Sequence, residues 1–141
     1  QGLIAGRVPK RADANAGLFE DGPAQTLSGA CAPFEEGRDI LGDGSLLAVE
    51  LPGHCVGHWG LAFVTQEDQP VLLAADAVWS GRSITERRAP PRITTALLGN
   101  TKAYRSTLNL LSEAASNNGD LAILPSHCRA SVKSLCQCDD T

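Results

Sequence analysis

Three histidines occur among the 141 residues, His54, His58 and His127, and their placement is ordered. His54 follows the apolar run Leu46-Leu47-Ala48-Val49-Glu50-Leu51 and the stop Pro52-Gly53, Asp76 follows Val71 to Ala75, and His127 follows Leu121 to Leu124. Each of these three therefore stands just past the end of a predicted strand, where loops from neighbouring strands converge on one site. Imidazole nitrogen and carboxylate oxygen suit zinc, and a hydrolytic zinc site keeps an open position where bound water loses a proton near neutral pH. Two histidines and one aspartate supply part of such a site. Taken singly, each has a plainer reading, because a histidine after Pro-Gly is a common exposed turn residue and an aspartate at a strand end often caps a loop.

The elements that must position these residues are readable in outline. Residues 1–17 show no clear period and read as a loop or frayed segment. From Leu18 to Gly44 the chain is turn-rich, with Asp21-Gly22-Pro23 and Gly42-Asp43-Gly44 as punctuation. Ser45 to Leu51 reads as a strand, and Leu61 to Thr65 with Val71 to Ala75 as a hairpin or two neighbouring strands. Residues 80–99 are polar, Arg-rich and broken by Pro90-Pro91, which predicts a long connecting loop. Tyr104, Leu108, Leu111 and Ala115 fall at helical spacing between an Asn100 or Thr101 cap and the Asn118-Gly119 stop. Leu121 to Leu124 reads as a buried strand ended by Pro125, and a short helix is expected over Ser131 to Cys136.

Composition sets the bounds. At 14.8 kDa, with 43% hydrophobic and 20% charged residues, the chain is globular and the size of a single domain over residues 1–141. A formal charge of -4 and a pI near 5.3 argue against a nucleic-acid-binding surface, and no apolar run is long enough to span a bilayer. The sequence opens on Gln1 and contains no methionine, so a processed product or fragment is expected. The five cysteines, Cys31, Cys55, Cys128, Cys136 and Cys138, form no CxxC pair and read as free thiols, which points to the cytoplasm.

Three local sequences extend the pattern: Pro52-Gly53-His54-Cys55-Val56-Gly57-His58, Leu72-Leu73-Ala74-Ala75-Asp76-Ala77 and Leu124-Pro125-Ser126-His127. In order and spacing, over about residues 39–130, they resemble the C-terminal half of the metallo-β-lactamase superfamily, whose pattern reads Pro-Gly-His-Thr-Pro-Gly-His, then Gly-Asp, then Pro-x-His. The resemblance implies an α/β (α+β) fold, half of an αββα sandwich, with one mixed sheet and covering helices. It implies that His54 completes the ligand set of a first zinc, that His127 serves a second, and that Asp76 bridges the two as the catalytic carboxylate. His58 then takes a supporting or packing role behind the ligands. The implied activity is zinc-dependent hydrolysis of an ester- or lactone-like bond in a small-molecule substrate by a metal-bridging hydroxide.

The departures from that pattern are specific. The His-x-His-x-Asp-His motif of the family's N-terminal half is absent, so this chain alone is expected to be inactive and to need a separate N-terminal half to complete the site, since no second copy carries those histidines. A homo-oligomer partner is expected only to cover the apolar surface that the missing half would leave exposed. The alternative is a non-catalytic scaffold or binding domain. Cys55 stands where the family has threonine and Ala75 where it has glycine. Packing is the leading reading for Cys55 and Cys128, with a soft metal ligand as the other for Cys55. Cys31, Cys136 and Cys138 read as free thiols ahead of a structural zinc or redox site. Arg82, Arg87, Arg88 and Arg92 make a basic loop, solvated or steering an anionic substrate, and Trp79 either lines a substrate pocket or fills the core.

Overall fold

The computed structural model describes residues 24–26, 33–34, 36–91 and 100–136. The loop expected over residues 1–17 lies outside them. Six described strands form one sheet in sequence order: β1 Ala24–Thr26, β2 Glu36–Asp39, β3 Leu46–Glu50, β4 Trp59–Val64, β5 Pro70–Ala75 and β6 Ala122–Pro125. All neighbours are antiparallel except β5 and β6, which are parallel. Parallel pairing demands a crossover, and residues 76–121 provide it through α1, Gly81–Thr85, and α2, Thr101–Asn117. A third helix, α3, Arg129–Cys136, follows β6.

This order explains why the three candidate ligands meet. Two antiparallel steps give β3 and β5 the same direction, and β6 runs parallel to β5. The C-terminal ends of β3, β5 and β6 therefore share one edge of the sheet, and His54, Asp76 and His127 each follow one of them.

One sheet face carries α1 and α2. The register aligns Leu47, Ala62, Leu72 and Ile123 across β3 to β6, and onto this row α2 packs Tyr104, Leu108, Leu111 and Ala114. That is one helical stripe, and each fully buried leucine contributes about 1.5–3 kcal/mol. Asn100 caps α2 by accepting the amides of Lys102 and Ala103 at 3.0 and 3.2 Å. The opposite face is apolar too: Leu46, Phe63, Val71 and Ala122 form one cross-strand row, and Ala48, Leu61, Leu73 and Leu124 the next. A sheet that is apolar on both faces is built to be covered on both.

Two segments correct the sequence reading. The turn-rich stretch before Gly44 contains β1 and β2, whose Glu-Gly-Arg-Asp sequence has no apolar alternation to announce a strand. Asp39 at the end of β2 is buried, and its carboxylate accepts the amides of Leu41, Gly42 and Gly44 at 3.2, 2.9 and 2.8 Å, which folds the Gly42-Asp43-Gly44 turn. The long loop expected over 80–99 begins with helix α1. Ser80 caps it by accepting the Ser83 amide, and buried Ile84 anchors it by offering its carbonyl to Ser112 Oγ at 2.7 Å. Five residues are too few to show a helical period. Residues 92–99, with Arg92, lie outside the described residues.

Candidate metal centre

The loop carrying His54 is set by α2. Gly53 adopts φ +137°, and an added Cβ would overlap the backbone of Tyr104. The turn is then fastened at two points: Asn100 N–H donates to the Gly53 carbonyl at 3.1 Å, and Thr107 Oγ1 donates to the Pro52 carbonyl at 2.6 Å. The Leu51 amide donates to the His58 carbonyl at 2.8 Å, closing the loop at its base.

Asp76 is set by a turn in the left-handed region. Ala75 has φ +47°, where a glycine would rest without strain. Its carbonyl accepts the Ser126 amide at 2.9 Å, which ties the Asp76 loop to the loop carrying His127. The Asp76 amide donates to His58 Nε2 at 3.3 Å, which ties it to the His54 loop.

The three expected ligands are brought together around one carboxylate. His127 Nε2 lies 3.3 Å from Asp76 Oδ1, and His54 Nε2 lies 3.9 Å from Oδ2. The two imidazoles thus address different oxygens. Asp76 Oδ1 is buried yet makes no hydrogen bond among the described residues, so the 3.3 Å approach of His127 lacks donor alignment. Two ligands of one tetrahedral zinc, each at about 2.0–2.1 Å, stand roughly 3.3–3.4 Å apart. The His127–Asp76 pair fits that spacing and the His54 pair is wider. Among the described residues no group of three or more His, Cys, Asp or Glu is arranged to hold one ion. The donors present fit part of a zinc site, not a whole one.

The surroundings differ for each group. The His127 side chain is 79% exposed, whereas His54 and Asp76 are half-buried. His58 is buried, its ring edge-on to His54 with centroids 5.8 Å apart. Burial pushes the His58 pKa below its ordinary value, the neighbouring His54 adds to the effect, and the Asp76 carboxylate and the Leu51 backbone oppose it. Cys55 is exposed, so it does not pack as expected. Cys128, half-buried, accepts a hydrogen bond from Ser131 Oγ at 3.1 Å and from the Gly81 amide at 3.4 Å, and these contacts lower its pKa. The readings of Cys31, Cys136 and Cys138 lie outside the described side chains. Trp79 is half exposed and does not fill the core. Arg82 pairs with Glu86 at 2.5 Å, and Arg87 and Arg88 are exposed.

The roles of Gly53, Ala75 and Ser126 in fastening the three loops were not read from the sequence. The positive φ at Ala75 had one signal, the glycine expected at that position by resemblance.

No protein-family model matches the sequence, and no curated protein matches it. Solved structures do match. An N-acyl homoserine lactone hydrolase with the product N-hexanoyl-L-homoserine bound at its catalytic metal centre shares 19% identity at a TM-score of 0.53, over 70% of this chain and 36% of its own. A structure from work on indirect contributions of mutations to the optimisation of new enzyme function gives 19% identity and a TM-score of 0.52, over 70% of this chain and 35% of its own. This chain thus spans about a third of the length of those structures. Among the described residues, no helix is long and apolar enough to cross a membrane. With its mixed six-stranded sheet and α1 and α2 laid on one face, the chain has the fold of part of a metallo-β-lactamase-type domain.

Proposed function

We propose that this chain is the C-terminal part of a zinc-dependent hydrolase acting on an ester- or lactone-like bond of a small molecule. The observation that carries the proposal is the Asp76 carboxylate, whose two oxygens face different imidazoles while the buried Oδ1 makes no hydrogen bond. In this reading Asp76 and His127 would hold one zinc, and Asp76 and His54 would hold a second. Zinc supplies Lewis-acid polarisation of the substrate carbonyl and activation of water. The chain's own residues fix the donors: Ala75 and Ser126 lock the two loops, and neutral imidazoles offer their lone pairs. Trp79, three residues beyond Asp76 and half exposed, is the side chain assigned to substrate contact.

The remaining donors come from an N-terminal half that carries the His-x-His-x-Asp-His segment and lays its own sheet on the second apolar face. Leu61, Leu73 and Leu124 on that face line a cavity of about 360 Å³ that borders Ala75, Pro125 and Ser126, at the foot of the site. A second reading, a non-catalytic scaffold, is favoured by one observation: with three histidines in the whole chain, the missing motif cannot be supplied by this sequence.

The reading frame upstream of the Gln1 codon decides between them. The hydrolase reading expects that frame to encode His-x-His-x-Asp-His, and the joined, zinc-loaded protein to hydrolyse N-acyl homoserine lactones or p-nitrophenyl esters in a manner abolished by Asp76→Asn. An upstream frame without the motif, or a joined protein with no such hydrolysis, supports the scaffold.

A further inference from the structure

His58 is buried, 9% exposed, yet its contact with the site is not through the carboxylate. Its Nε2 receives the backbone N–H of Asp76 at 3.3 Å. An imidazole nitrogen that accepts a hydrogen bond carries no proton, so in the neutral ring the proton sits on Nδ1. That Nδ1 is buried and makes no well-formed hydrogen bond among the described residues, the Leu51 backbone being the group that favours its proton. A leucine would fill the same space without burying so poorly satisfied a donor, which is unfavourable. What imidazole adds, and leucine lacks, is the acceptor for the Asp76 amide.

That amide is at a critical place. It follows Ala75, held at φ +47°, and it precedes the carboxylate that both other histidines face. If the amide were free to rotate, the left-handed turn would relax and the carboxylate would leave His127. Anchoring Asp76 through its backbone also leaves its carboxylate oxygens without a hydrogen-bond donor among the described residues. We infer that His58 is a positioning residue for the metal centre: its Nε2, as hydrogen-bond acceptor, fixes the Asp76 backbone and leaves the carboxylate free for metal. The inference rests on the zinc reading above for its purpose, but not for its geometry.

Three readouts test it on the whole chain. Long-range ¹H–¹⁵N correlation of the His58 ring, recorded above neutral pH without metal, is expected to place the proton on Nδ1; a proton on Nε2 overturns the inference. Amide exchange at Asp76 is expected to speed up at least about tenfold in His58→Leu and to return toward native in His58→Gln, whose Oε1 restores an acceptor. Titration with zinc chloride is expected to show affinity reduced by about 10–100-fold in His58→Leu and recovered to within roughly threefold in His58→Gln. Equal impairment in both variants, or none in either, overturns the positioning role. A purely space-filling histidine would show the reverse pattern, with leucine tolerated and glutamine not. If the native chain takes up no zinc, the hydrolase reading fails, while the tautomer and the Asp76 amide exchange still decide the role of His58.

Discussion

The Ser126 amide donates to the Ala75 carbonyl at 2.9 Å, so the loops carrying His127 and Asp76 are joined through their backbones. The bond is made while Ala75 is in the left-handed region, φ +47°. An L-residue with a Cβ is disfavoured there by about 1–2 kcal/mol, whereas glycine is not. Ala75→Gly is therefore expected to stabilise the chain by about 1 kcal/mol after the greater flexibility of glycine in the unfolded state is counted. Thermal unfolding should show a rise of roughly 3–5 °C. A fall in melting temperature would mean that the turn is not strained.

Gly53 tests the same edge from the other side. Its missing Cβ leaves room for the Tyr104 backbone, and rigid helix backbone cannot yield as a side chain end would. Gly53→Ala, at φ +137°, combines that overlap with a conformation alanine avoids. A loss of about 3 kcal/mol or more in urea unfolding is expected, together with loss of amide protection at Asn100. A substitution tolerated within about 0.5 kcal/mol would contradict the close approach of α2.

His58 makes stability depend on pH in a stated direction. Burial lowers its pKa in the folded chain below the ordinary 6.5. As pH falls through 6.5 the unfolded chain takes up this proton first, so the unfolded state binds more protons and stability rises with pH across that window. The contribution is complete above 6.5 and is lost as pH drops toward the depressed folded value. Urea unfolding with chelator between about pH 5 and pH 7.5 should show a smaller pH slope for His58→Leu than for the native chain. A steeper slope in the variant would contradict the assignment.

Cys128 offers a fourth test. The Ser131 hydroxyl and the Gly81 amide both favour its thiolate. Ser131→Ala should raise its pKa, so alkylation of the Cys128 peptide by iodoacetamide at neutral pH should slow while that of exposed Cys55 stays the same. Unchanged or faster alkylation of Cys128 would show that the hydroxyl does not act on the thiol.

Much of this architecture was legible in the residues because the relevant signals are local. The apolar runs at Leu46, Val71 and Leu121, each ended by a turn and a polar ligand type, located β3, β5 and β6, and the Tyr104-Leu108-Leu111 stripe located α2. What stayed hidden depends on partners distant in sequence. Glu36–Asp39 becomes a strand by pairing with β1 and β3, not by any pattern of its own. Helix α1 exists because Ile84 is buried and Ser112 holds its carbonyl, a contact across 28 residues. Cys55 is exposed in the loop between His54 and His58, which its neighbours in the sequence do not reveal. The bonding of the Asp76 amide to His58 was likewise out of reach, since the spacing of histidines says nothing about which nitrogen faces a backbone donor.

Zinc binding by the chain itself tests the central claim most directly. Purified protein, stripped with chelator, would be titrated with zinc chloride beside His54→Ala, Asp76→Ala, His127→Ala and Cys55→Ser. The native chain is expected to bind zinc weakly, in a manner that Asp76→Ala abolishes, that His127→Ala weakens more than His54→Ala does, and that Cys55→Ser leaves unchanged. A native chain that takes up no zinc, or zinc retained when Asp76 is replaced, would contradict it.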